Sequence, residues 1–187
     1  MNEIVNKVAN SALHVFDLED YYPSQQIIEL DIAQWLHEGV ILIEKEFRQQ
    51  LKSFNWQQYQ NRNITIYCSS DAIIPSWATI LVTSNAMPFA SKVVLGSKSD
   101  FITQHYIETL GALDYAVYAN KSVILKGCSK KAVPESAYVF AIQKLQVVAK
   151  TIMYGEACSA VPIYKKAIHS TKNLKSIYFS IFTASKV

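Results

Sequence analysis

The run Ile64-Thr65-Ile66-Tyr67-Cys68-Ser69-Ser70-Asp71-Ala72-Ile73-Ile74-Pro75-Ser76-Trp77-Ala78 decides the fold. Its first four residues, β-branched or aromatic, read as a short buried strand, and Pro75 suits the first turn of an apolar helix over residues 75–87. The same alternation continues. Residues 92–95 read as a strand, 101–110 as a helix closed by Gly111, 123–125 as a strand, and 134–150 as a further helix. A βαβαβα order predicts a mostly parallel sheet in one three-layer α/β domain, with right-handed crossovers. The helix at Pro75, apolar on nearly every side, is expected to be deeply buried.

Toward the N-terminus, residues 13–18 and 26–30 have strand character, with Tyr22-Pro23 as a turn between them. Asp31 is placed to cap a helix over residues 32–38, and Phe47, Leu51 and Phe54 share one helical face. This region reads as an antiparallel edge or cover for the parallel sheet. The domain is drawn over residues 1–166. Residues 167–187 are a basic tail whose β-like stretch, 177–182, is either an added strand or an appendage.

Composition narrows the function. Half of the 187 residues are hydrophobic and 18% are charged, against roughly 25% in an ordinary soluble protein, so the chain can bury a substantial core. Its apolar runs, such as residues 137–142, fall far short of the roughly 20 needed to cross a bilayer. No membrane partner is expected. No apolar signal region precedes Asp17, so the reading is cytoplasmic. The net charge of +3 is carried by Lys172, Lys175 and Lys186 in a tail without acids, which leaves residues 1–166 neutral. A neutral body lacks the basic footprint that nucleic acid demands. Five scattered glycines form no Gly-x-Gly pattern, which removes the usual nucleotide cofactor sites. Two hydrolase signatures, Gly-x-Ser-x-Gly and His-Glu-x-x-His, are also missing. A homo-oligomer or a protein partner stays open, as does the question of enzymatic activity.

The cysteines carry the most specific signal. Each of the three, Cys68, Cys128 and Cys158, is followed by serine and then, after a variable gap, by a β-branched residue and proline: Pro75, Pro134 and Pro162. Cys68 and Cys128 fall just past predicted strands, at the sheet edge where parallel α/β proteins bind ligands. If those two strands are neighbours, their spacing of about 4.8 Å brings the sulfurs within reach of one ion. Three thiolates with one open position suit zinc or an iron–sulfur cluster, and Glu156, Asp71 and Glu135 are the nearest acids in sequence. Glu156 is taken as the fourth ligand. None of the spacings matches a Cys-x-x-Cys knuckle. The alternative is a metal-free interaction or scaffold domain in which the thiols are buried or redox-active, because cysteine is also a common core residue. His14, His37, His105 and His169 are scattered, Asp17, Glu19 and Asp20 read as a solvated turn beside Tyr21 and Tyr22, and Trp35, Trp56 and Trp77 read as core.

These phrases resemble a bacterial family of unknown function. The resemblance rests on residues 3–11, 17–23, 68–78, 126–138 and 153–165 and extends over residues 1–166. It implies a protein of this size with the three Cys-Ser elements and no known activity. The tail from Ala167 departs from the pattern.

Overall fold

The computed structural model describes residues 13–127, 130–156 and 159–167. Among them lie β1 (Leu13–Asp17), β2 (Ile27–Asp31), α1 (Glu44–Ser53), β3 (Asn63–Tyr67), α2 (Ser76–Ala86), β4 (Lys92–Leu95), α3 (Lys98–Gly111), β5 (Ser122–Lys126), α4 (Glu135–Val148), β6 (Thr151–Tyr154) and β7 (Val161–Lys165). The α/β class agrees with the order of strands and helices in the sequence. The strands divide between two sheets, β2-β3-β4 and β1-β5-β6-β7, where one had been expected.

The antiparallel N-terminal edge is corrected. β1 pairs in parallel with β5, and β2 pairs in parallel with β3, so the two N-terminal strands serve different sheets. The link between them contains a 3-10 turn over Leu18–Tyr21 followed by Tyr22-Pro23, where an antiparallel hairpin would use a tight two-residue turn. Among the described strands only β6 and β7 run antiparallel, with an irregularity at Ile152 and Met153.

Each sheet has its own core. Leu30, Ile64 and Ile66 meet Phe47 and Leu51 of α1 and Ala78, Val82 and Ala86 of α2. Phe16, Val123, Leu125 and Ile152 meet Ala137, Ala141 and Leu145 of α4. The second core also takes Ile102, Tyr106 and Leu110 from α3, the helix that leaves β4. Lys92 at the start of β4 pairs with Glu108 of α3 at 2.7 Å, and the Tyr106 hydroxyl donates to the Leu18 carbonyl at 2.8 Å. Through α3 the carboxyl end of β1 stands beside the amino end of β4. α2 is less enclosed than its composition predicts: one face is buried, and Ile80 is 67% exposed. Small residues, Ala78 and Ala86, lie on the buried face, and the opposite side is open. No helix among the described residues is long and apolar enough to cross a membrane.

The two units repeat one another at a constant spacing of 59 residues. Asn61 and Asn120 both take positive φ, 58° and 57°; their amides donate to Phe89 and Val148 carbonyls at 2.9 and 2.8 Å. Ser91 to Arg62 is matched by Lys150 to Lys121, both at 2.8 Å, and Gly96 to Ile66 is matched by Gly155 to Leu125, at 2.9 and 3.1 Å. β3, α2 and β4 thus correspond to β5, α4 and β6 without a gap. β1 and β2 supply the matching flanking strand, each ending in an aspartate that caps a 3-10 turn: Asp17 accepts from the Glu19 amide and Asp31 from the Ala33 amide. Under this correspondence Pro75 matches Pro134, but Cys68 matches Gly127 and Ser69 matches Cys128. The Cys-Ser elements read from the sequence are therefore displaced by one residue.

Candidate functional site

At the carboxyl edge of the β1-β5-β6-β7 sheet, register sets Asp17 opposite Lys126 and Leu125 opposite Tyr154. Lys126 extends its ammonium to Asp17 Oδ2 at 3.1 Å and to Glu156 Oε1 at 3.8 Å. The hydrogen bond and charge of Asp17 hold the Lys126 ammonium above the ordinary lysine range, with a smaller contribution from Glu156. Glu19 closes the same edge. Its carboxylate accepts from the Lys130 amide at 2.7 Å, and its carbonyl accepts from the Lys131 ammonium at 2.9 Å. Two glycines open the loops that follow the strands. Gly127 has φ of +141°, and a Cβ there would stand 2.7 Å from Leu18 Cβ; Gly155 has φ of +109°. Both conformations are ones that only glycine adopts readily.

The matching edge of the β2-β3-β4 sheet holds Asp31 and Cys68. The Asp31 carboxylate accepts from the Ser69 amide at 3.0 Å, and from the Ser69 hydroxyl as well. Burial alone would raise the Asp31 carboxyl, but hydrogen bonds from the Ser69 hydroxyl and the Ala33 and Ser69 amides outweigh it and hold it below the usual carboxylate range. Cys68, half-buried against the first core, has its sulfur 3.3 Å from the Ser70 hydroxyl.

Of the expected ligands, Cys68 and Glu156 are thus located. Cys128 and Cys158 lie outside the described residues. The condition that β3 and β5 be neighbours fails, since they belong to different sheets. The strands that do adjoin are β5 and β6, which precede Cys128 and Cys158 in the sequence. Among the described residues no three His, Cys, Asp or Glu side chains are grouped to hold a metal ion. Asp71 is exposed in the loop after Cys68, and Glu135 is the first residue of α4.

The remaining candidates have structural duties. His37 pairs with Glu46 at 3.3 Å, and His105 Nε2 lies 3.1 Å from the Tyr21 carbonyl; His169 is outside the described residues. Trp35 and Trp56 are buried, as expected, and Trp77 packs beside them. The turn of Asp17 and Glu19 is more than solvated loop, because its carboxylates organise the strand ends. Sequence reasoning missed Lys126 altogether. Its one available signal is position, as the last residue of a strand before Gly127.

No curated protein matches the chain, and no solved structure matches it. Residues 2–166 match a family description, and on that match the chain belongs to the family described as "Protein of unknown function (DUF2480)".

Proposed function

We propose that the carboxyl edge of the β1-β5-β6-β7 sheet is the functional site, with Cys128 and Cys158 acting there as a thiol pair that takes zinc together with Glu156. The observation that carries this reading is the parallel adjacency of β5 and β6, whose loops lead into the two cysteines from Gly127 and Gly155. The internal repeat supports it independently. Position 128 matches Ser69, the residue gripped by Asp31, and the counterpart of Asp31 in this unit is Asp17. Position 128 follows Lys126 by two residues, and a cation close to a thiol favours the thiolate that zinc requires.

Two thiolates and one carboxylate give zinc three protein ligands with a fourth position open to water or a bound group. An iron–sulfur cluster ordinarily takes four cysteines, so zinc is the better fit to this pair. Cys68 is left out of the set, because it leaves the other sheet at the end opposite the one that α3 brings to β1. Glu156, 58% exposed and only loosely paired with Lys126, is free to turn toward a metal. The test is zinc stoichiometry in the purified chain and in single Cys→Ser variants, combined with a count of free thiols. A second reading, a metal-free thiol pair in an interaction domain, is favoured by the same Lys126 ammonium. It predicts no zinc and two thiols of raised reactivity.

A further inference from the structure

Between α4 and the strands of the second unit runs a groove of about 370 Å³, lined by Leu125, Tyr138, Val139, Ile142, Tyr154 and Ile163 together with the charged Glu135. Val139 and Ile163 are more than half exposed there, at 56% and 53%. The sheet order ends at β7, whose outer edge has no strand beside it among the described residues. The repeat supplies a control. In the first unit the matching groove is lined by Thr79, Ile80, Thr83 and Leu95, so two threonines stand where the second unit has Tyr138 and Ile142. The groove beside β7 carries the larger apolar side chains on its helix wall.

Beyond Ala167 the sequence turns polar at His169-Ser170-Thr171-Lys172-Asn173 and then runs Ile177-Tyr178-Phe179-Ser180-Ile181-Phe182. A hexapeptide with five large apolar residues is an aggregation hazard unless it is covered. β7 carries the chain away from the groove toward the amino end of its sheet, where the Lys166 amide donates to the Lys150 carbonyl at 2.9 Å. A segment reversing from there travels back along β7 toward the groove. Nine residues, 168–176, span up to about 30 Å, well beyond the roughly 17 Å length of a five-residue strand. We propose that residues 177–182 add to the outer edge of β7 as an antiparallel strand and cover this groove with their isoleucine and aromatic side chains. Attachment to the same chain gives the segment an effective concentration in the millimolar range, which favours it over a second copy of the protein. The segment lies past residue 166, where the family match ends.

The test is amide hydrogen exchange followed by NMR on the full chain and on its Phe179→Asp and Ile181→Asp variants. The β7 amides that do not face β6 should exchange at least about tenfold more slowly than unprotected amides, as those of a paired strand do. That protection should be independent of protein concentration and should fall in both variants while the β5 amides keep theirs. Unprotected outer amides in the wild-type chain overturn the proposal. So does protection that either variant leaves intact. Protection that grows with protein concentration would assign the groove to a second copy and overturn it equally.

Discussion

Gly127 is the residue on which the second unit's edge depends most directly. Its φ of +141° and the 2.7 Å approach to Leu18 Cβ leave no room for a side chain. Gly127→Ala should therefore lower stability by about 2 kcal/mol or more, read as a shift in urea midpoint at constant slope. Asp31 should show itself through pH. Its carboxyl is held below the ordinary range in the folded chain, so its contribution is present above the unfolded value, near about 3.9, and is lost as pH falls through the lower folded value. The melting temperature of the wild type should fall more steeply on acidification below about pH 4 than that of Asp31→Asn. Parallel curves for the two proteins would remove Asp31 from the account. The capping role of Asp31 was legible in the sequence, because an aspartate before an apolar turn is a local signal. Its grip on Ser69, 38 residues away, was not, since that contact exists only once β2 lies against β3.

At the scale of elements, the helices opened by Pro75 and Pro134 were readable from proline position and apolar content, and both start where expected, at Ser76 and Glu135. What escaped was which face is covered, since α2, expected to be buried on nearly every side, leaves Ile80 67% exposed. Ala78 and Ala137 are fully buried, because small side chains let each helix lie close on its sheet. Ala137→Leu should therefore overpack that contact and cost about 1–3 kcal/mol in thermal or denaturant unfolding. A neutral outcome would mean that the contact can open. The strand Thr151–Tyr154 went unread because four residues directly after a long helix carry too short an alternation to register. Its partner β7 contains Pro162, which disfavours strand on local grounds and is tolerated where its pairing with Met153 adjoins a register irregularity.

For the whole molecule, the decisive feature is a repeated unit that the sequence showed only in distorted form. Prolines 75 and 134, glycines 96 and 155 and asparagines 61 and 120 coincide at one spacing, whereas most buried positions differ in residue, as Ile64 and Val123 do. The Cys-Ser elements drew attention to the repeated loops and misaligned them by one residue. Two sheets in place of one also separated β3 from β5, a fact of long-range pairing that no local pattern carries. α3 joins the units, and Tyr106→Phe, which removes the buried hydroxyl's hydrogen bond to the Leu18 carbonyl, should cost about 1 kcal/mol. The site proposed at the β5 and β6 edge is tested most directly by metal analysis of the wild type beside Cys68→Ser, Cys128→Ser and Cys158→Ser. One zinc per chain should be retained by the wild type and by Cys68→Ser and lost from the other two variants. A wild-type protein that binds no zinc when zinc is supplied, or a loss in Cys68→Ser equal to that in Cys128→Ser, would contradict the paired site.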